Sequence, residues 1–158
     1  MAANEIVIKE AGTGDDFKVV QNGEIVNSIN KANQVFHSID LSYAKEGILF
    51  HTWLGYRTKD QLQQVLDGHF VKLYEQYKFK KMVIEISKMD GSFDSSNEWM
   101  ASHLMPKLVK NGLQFCAVVL PANIFAQVSV DDWNKKVGGF VTRNFGSPND
   151  ALAWLRTV

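Results

Sequence analysis

The chain has 158 residues, and its 17 lysines and arginines balance 17 aspartates and glutamates, so the formal net charge is zero. One domain is expected at this length, and it can bury a core without a disulfide or a structural metal. A balanced chain lacks the basic stripe that nucleic-acid phosphates require, and no lysine and arginine cluster favours an anionic membrane. We therefore expect no nucleic-acid partner.

The cysteine content and the apolar runs predict a cytoplasmic protein. Cys116 is the single cysteine and lies in an apolar run, where a thiol is usually an inert packing residue. The amino terminus lacks the basic segment followed by an apolar segment that is typical of a signal peptide. The longest apolar stretch, residues 115–126, is too short to span a bilayer, so no membrane insertion is expected.

The first elements along the chain are predicted strands. Residues 6–8 and 17–20 have strand character and flank a turn-rich stretch at 11–16. Asn22-Gly23 then predicts a tight hairpin, because a type I′ turn needs positive φ at both central residues.

A second hairpin is predicted from the alternating residues 35–41 and 48–54. This hairpin carries His37 on one strand and His51 on the other. Whether the two side chains face each other depends on the register of the strands.

A long amphipathic helix follows the second hairpin. Thr58 and Gln61 fit a capping box, and apolar residues recur at helical spacing from Leu62 to Tyr77. This pattern predicts one helix of five turns. His69 lies on its apolar stripe, which is typical of a partly buried, hydrogen-bonded side chain.

After a short apolar strand at 82–86, a second helix is predicted. Ser95 and Glu98 fit another capping box, and the helix is expected to end near Gly112. Pro106 lies inside it, and therefore predicts a kink or a break into two pieces.

The last third of the chain continues the alternation of strands and helices. Residues 115–120 are apolar on both faces, which is typical of a central strand. There follow a helical turn at 121–126, a helix capped by Ser129 and Asp132, a strand at 140–145, and a terminal helix opened by Ser147-Pro148.

These elements predict an α/β fold in a single domain over residues 1–158. From residue 47 onward strands alternate with about four helices, which favours a mostly parallel, mixed sheet with right-handed crossovers. The antiparallel amino-terminal hairpins are expected at one edge of that sheet.

Several segments in this order resemble the STAS-like group, named for sulfate transporters and anti-sigma-factor antagonists, and within it an uncharacterised bacterial branch. The resemblance covers roughly residues 35–158 and leaves residues 1–34 as an amino-terminal extension of strands. It is carried by Trp53-Leu54-Gly55, Ile84-Glu85-Ile86-Ser87, Trp99, Pro106, Gly112-Leu113, Val119-Leu120-Pro121-Ala122-Asn123-Ile124-Phe125-Ala126 and Ala151-Leu152-Ala153-Trp154-Leu155.

The resemblance implies a regulatory or protein-interaction domain that acts through a partner protein and has no obligatory cofactor. Members that act as phosphoswitches carry an Asp-Ser-Ser-Gly-like motif, and the matching stretch at 87–96 has serines and acids but not that motif. Lipid-transfer domains of the CRAL/TRIO kind share the general architecture. This similarity supplies a second hypothesis, the binding of a small apolar or lipid-like ligand.

The candidate functional loop lies where a parallel sheet usually binds ligands, beyond the carboxyl ends of its strands. The most polar loop expected there is 87–96, with the candidate residues Ser87, Asp90, Ser92, Asp94 and Ser95. Capping and turn formation also explain several of these residues. Two aspartates without a third ligand do not predict a metal site.

Two tryptophans, Trp99 and Trp133, are candidates for a pocket or an interface, since tryptophan is favoured in both. No nucleophile motif and no zinc-ligand spacing is present, so we predict no catalytic residue, cofactor or metal. The leading hypothesis is a non-enzymatic module that binds another protein or itself. A closed pocket of a few hundred Å³ would favour the small-ligand hypothesis, and a solid core with an exposed apolar patch would favour the partner.

Overall fold

An eight-stranded mixed sheet forms the frame of the molecule in the computed structural model, which describes residues 5–9, 16–120 and 123–158. The strands lie side by side in chain order: β1 (Glu5–Lys9), β2 (Lys18–Asn22), β3 (Ile25–Ile29), β4 (Val35–Asp40), β5 (Ile48–Gly55), β6 (Lys81–Met89), β7 (Phe115–Val119) and β8 (Val141–Phe145). The helices are α1 (Lys59–Val65), α2 (Val71–Tyr77), α3 (Asn97–Trp99), α4 (Met105–Lys110), α5 (Ile124–Lys136) and α6 (Pro148–Leu155). None of these described helices is long and apolar enough to cross a bilayer.

The predicted α/β class is confirmed, and the sheet is divided at β5. Strands β1 to β5 pair antiparallel, and β5 to β8 pair parallel. The expectation of a mostly parallel sheet is wrong, since four described pairings are antiparallel and three are parallel. The amino-terminal hairpins supply half of the strands because each needs only a short turn.

The first hairpin differs from its prediction by one residue. Strand β2 continues through Asn22, which pairs with Ile25, so Gly23 and Glu24 are the central residues of the turn. Only Gly23 of these two has positive φ, at +62°, as a type II′ turn requires. The predicted turn-rich stretch lies outside the described residues except for Asp16.

The second hairpin is confirmed, with a 3₁₀ turn over Leu41–Glu46 between its strands. His37 pairs with Trp53, and Ile39 pairs with His51. The two histidines are therefore diagonal neighbours on adjacent strands, and both side chains are on the same face of the sheet.

The first long helix is capped as predicted, but it is not one continuous α-helix. Thr58 and Gln61 form the capping box in both directions. A wider π turn over Leu66–Phe70 separates α1 from α2, and Gly68 within it has ψ of −117°. Glycine has no Cβ and so leaves the helical region at little steric cost, which the apolar spacing alone could not reveal.

The second helix is irregular just before Pro106, where a kink or a break was expected, but the chain stays helical from Asn97 to Lys110. A π turn over Met100–Leu104 precedes α4, and Pro106 lies in the first turn of α4, where its missing N–H costs little. The capping box of Ser95 is wrong: Asp94–Ser96 forms a 3₁₀ turn, and α3 begins without a side-chain cap.

Helix α5 is longer than predicted. Asn123 caps it by accepting a hydrogen bond from the Phe125 N–H at 2.9 Å, and the helix continues without a break to Lys136. Ser129 is therefore inside the helix and does not begin it. The predicted cap of the terminal helix is confirmed, since Ser147 accepts from the Asp150 N–H.

The two faces of the sheet bury different cores. Alternate residues of β5 to β7 face either α6, as Val83 and Ala117 do, or helices α1 to α5, as Met82 and Cys116 do. The core beneath α1 to α5 is the larger one. It contains both π turns.

Candidate functional site

The predicted loop residues lie at the carboxyl ends of the parallel strands, but not in one cluster. Ser87 is inside β6, where its hydroxyl hydrogen-bonds the Glu85 carboxylate. Asp90, Ser92, Asp94 and Ser95 follow the strand and are exposed to solvent.

The side chain of buried Arg57 hydrogen-bonds the backbone of this loop. Its guanidinium donates to the carbonyl oxygen of Asp90 at 2.7 Å and to that of Ser92. Burial lowers the pKa of Arg57, and only 3% of the residue is exposed. No residue pattern indicated this role, because an arginine between a strand and a helix usually points into solvent.

A second set of hydrogen bonds ties the loop to α5. The buried hydroxyl of Ser129 accepts from the N–H groups of Phe93 at 3.0 Å and Asp94 at 3.1 Å. The Asn97 amide donates to the Ser129 carbonyl at 2.8 Å and to the Asp132 carboxylate at 3.0 Å. The loop and the helix therefore form one rigid support.

Four apolar side chains project into solvent from this support. Ile124, Phe125 and Val128 are 66%, 67% and 59% exposed on the first turns of α5. Tyr56 is 67% exposed, and its ring lies beside Gly91, whose carbonyl accepts from the Asn123 amide at 2.9 Å. We call the surface of Tyr56, Ile124, Phe125 and Val128 the carboxyl-edge face.

A small apolar cavity lies inside the larger core, between the sheet and the helices. Its volume is about 50 Å³, roughly a third of that of an engineered apolar cavity of about 150 Å³ that binds benzene. It is lined by His51, Trp53, Leu62, Leu66, Phe70, Met82, Ile84, Ile86, Met89, Phe93, Met100, Leu104, Met105, Leu108, Val118, Val130 and Trp133.

The two predicted tryptophans have different positions relative to this cavity. Trp133 on α5 lines it. Trp99 on α3 packs at the edge of the core, and its ring centroid is 5.1 Å from that of His103. The wall also contains every methionine of the chain except Met1.

His51 is the one ionisable side chain in the cavity wall. Its Nδ1 lies 3.0 Å from Nε2 of His37, so the two rings share one hydrogen bond. Burial lowers the pKa of His51 to about 3. Burial, and secondarily the nearby His51 and His69, hold the pKa of His37 well below its usual range. Both rings of the pair are therefore neutral at neutral pH.

The other ring nitrogen of His51 lacks a partner. Nε2 is buried and makes no hydrogen bond with any described residue. Leaving such a group unpaired costs about 1–3 kcal/mol. The sequence contained a signal for this arrangement, since His51 alternates with the apolar Leu49 and Trp53 on the inward face of β5.

The described residues offer little for covalent or metal chemistry. No three of their His, Cys, Asp or Glu side chains lie close enough together to share a metal ion. The thiol of Cys116 is buried, and burial raises its pKa, so the reactive thiolate is disfavoured.

Comparisons with protein-family models, curated proteins and solved structures gave no match for this chain. The resemblance to the STAS-like group remains a prediction.

Proposed function

We propose that the protein is a non-enzymatic interaction module, resembling a STAS-like regulatory domain, that binds a partner protein through the carboxyl-edge face. The observation that carries this proposal is the exposure of Ile124, Phe125 and Val128 on one end of α5. Neighbouring apolar side chains held in water are a usual mark of an interface.

The rigidity of the support favours the same function. The Ser129 hydroxyl accepts from the loop, the Asn97 amide donates to α5, and the Asn123 amide donates to the loop, and these hydrogen bonds hold α5 on the loop. A face that is ordered before binding loses little conformational entropy when its partner docks. The nearly filled core also favours a partner over a bulky internal ligand.

The test compares a triple serine variant of the face with a double serine control variant, both expressed in the native host. Ile124→Ser/Phe125→Ser/Val128→Ser removes the face, and Tyr77→Ser/Val141→Ser removes exposed apolar side chains elsewhere. We expect covalent cross-linking and quantitative mass spectrometry to recover a partner with wild type and the control, and at least tenfold less of it with the triple variant.

The free energy of unfolding of each variant is measured as well, so that loss of the partner is not confused with loss of the fold. We expect a change of only about 0.5 kcal/mol for each exposed substitution. A partner that both variants retain would contradict the proposal. If the cross-linked species is a dimer of this chain, the partner is a second copy.

A second candidate function is the binding of a small apolar ligand, and the apolar lining of the cavity, though not its volume, favours it. The cavity is too small for a drug-sized molecule. Its wall is adaptable, however, because methionine side chains are flexible and π turns often mark functional sites in helices.

A further inference from the structure

A second cavity is an open groove at the carboxyl ends of the parallel strands, beside the exposed ring of Tyr56. It lies between residues 56–62 on one side and the loop 91–96 on the other. Its volume is about 340 Å³, against about 50 Å³ for the apolar cavity in the core. Pockets for small molecules have volumes of roughly 300–1,000 Å³. The groove therefore has room for a small molecule without any rearrangement of the core.

The charged side chains in the walls of the groove are all positive. Arg57 and Lys59 line it, and none of the residues that line it is an aspartate or a glutamate. The acidic neighbours Asp60 and Asp94 are exposed and lie outside the walls. Two positive charges in one groove favour an anionic ligand.

The side chain of Arg57 connects the two walls of the groove. Arg57 belongs to one wall, and its guanidinium donates to the carbonyl oxygen of Ser92 in the other. It takes part in none of the ion pairs between described residues. The nearby Asp90 favours its charged form, but burial is the larger influence and lowers the pKa of Arg57. A buried cation without a close counter-ion is unfavourable, and an anion in the groove would supply one.

The groove also contains hydrogen-bond donors that are not in use. Ser92, Ser95 and Ser96 line it, and their hydroxyls make no hydrogen bond with a described residue. The same is true of the Lys59 ammonium group. Ser96 is only 1% exposed, and a serine so little exposed normally has a partner for its hydroxyl. A ligand with several acceptor oxygens would provide these partners.

We propose that this groove binds a small molecule that carries a phosphate monoester, with the phosphoryl group beside Arg57 and Lys59. A phosphate monoester has a charge of about −1.5 to −2 at pH 7 and three strong acceptor oxygens. It therefore matches two cations and the free serine hydroxyls, whereas a carboxylate has one charge and would leave one cation unmatched. The inference goes beyond the proposed binding of a partner protein and does not depend on it.

The experiment titrates the whole protein with two probes of similar shape, phenyl phosphate and phenyl sulfate. The pH is about 7.5, above the second phosphate pKa of about 6, so phenyl phosphate carries nearly two negative charges and phenyl sulfate carries one. The backbone amide signals of Lys59, Ser92, Ser95 and Ser96 report binding by NMR, because these residues line the groove. We expect phenyl phosphate to shift these signals to saturation and to bind at least tenfold more tightly than phenyl sulfate.

The variant Lys59→Gln removes one cation from an exposed position and leaves the hydrogen bonds of Arg57 to the loop in place. We expect it to bind phenyl phosphate about tenfold more weakly, which corresponds to the loss of one charge-assisted hydrogen bond. Lys72→Gln is the matched control, because Lys72 is exposed on α2 and does not line the groove. The control should bind phenyl phosphate like wild type.

The outcomes separate this inference from the proposed partner function. The triple serine variant of the carboxyl-edge face should bind phenyl phosphate like wild type, since Ile124, Phe125 and Val128 do not line the groove. Absence of saturable shifts with phenyl phosphate, equal affinities for the two probes, or an unchanged affinity in Lys59→Gln would each overturn the inference. A phosphoserine peptide that competes with phenyl phosphate and binds at least tenfold more tightly would assign the groove to a phosphorylated protein and overturn the small-molecule ligand.

Discussion

The carboxyl-edge face and the central cavity depart from normal burial in opposite directions. At the carboxyl-edge face, Ile124 and Phe125 are in water although they are apolar. In the cavity, His51 is buried among apolar side chains although it is polar. Each arrangement lowers stability relative to the obvious alternative, and such local conflicts are expected at functional sites.

The two regions also differ in the rigidity of the structure around them. Hydrogen bonds to the backbone make the carboxyl-edge face rigid. Flexible methionines and two π turns surround the cavity. A rigid carboxyl-edge face is suited to docking a partner protein, and an adaptable cavity wall is suited to binding a small ligand.

The largest expected effect is a loss of free energy of unfolding at acidic pH, and its cause is the histidine pair beside the cavity. The pKa of His51 is about 3 in the folded protein, against about 6.5 in an unfolded chain. Between these values the unfolded chain binds a proton that the folded chain does not, so stability is constant above about pH 6.5 and falls as the pH drops below it. The slope is roughly 1.4 kcal/mol per pH unit for each such histidine, and His37, whose pKa is also lowered, adds to it.

Urea unfolding at pH 7 and pH 5 measures this slope in wild type and in His37→Leu/His51→Leu. Buried His69, which faces His37, is present in both proteins, and so are the exposed carboxylates. The single variant His51→Leu should show an intermediate slope. Equal slopes in all three proteins would show that the pair is not the acid-sensitive element.

Enlarging the cavity gives the next largest effect. Leu108→Ala removes a fully buried side chain from the cavity wall and should destabilise the protein by about 2–5 kcal/mol. It should also tighten toluene binding, because the added space is apolar. Leu155→Ala is the matched control, since Leu155 is equally buried on the other face of the sheet.

That control should lose similar stability in urea unfolding without any gain in toluene affinity. If both variants bind toluene equally, the internal site is a general consequence of loosened packing. The distinction between the cavity and the rest of the core would then disappear.

The smallest of the three effects concerns the support of the carboxyl-edge face. Ser129→Ala removes the acceptor of the Phe93 and Asp94 N–H groups and should cost about 2 kcal/mol. Both amides should then exchange hydrogen faster, measured by NMR. Ser102→Ala is the control, because the exposed hydroxyl of Ser102 donates only to the Glu98 carbonyl; unchanged exchange in Ser129→Ala would contradict the rigid support.

Local sequence signals predicted most of the elements because their causes are local. The capping box of Thr58 and Gln61, the irregular turn before Pro106 and the cap at Ser147 all depend on residues within about one helical turn. The same kind of signal failed at Ser129, because serine is equally suited to a cap and to a tertiary hydrogen bond. It also failed at Ser95, which lies inside a 3₁₀ turn.

The candidate site was less predictable because it depends on distant segments. Ser129 reaches residues 35 and 36 positions away in the chain, and Arg57 reaches residues 33 and 35 positions away. The π turn around Gly68 changes the direction in which the apolar side chains of this helix face the core. The apolar spacing in the sequence is still that of a regular helix and does not reveal the change. The contact between the two histidines depends on the register of the second hairpin, which the turn sets. The sequence alone did not determine that register.

The spatial order of the strands has a consequence for synthesis on the ribosome. Each strand pairs with the one made immediately before it, from β1 through β8. A nascent chain can therefore add one strand at a time to a growing edge, and no completed strand has to separate to admit a later one. At every stage, the strand most recently made is one edge of the sheet, and β1 is the other.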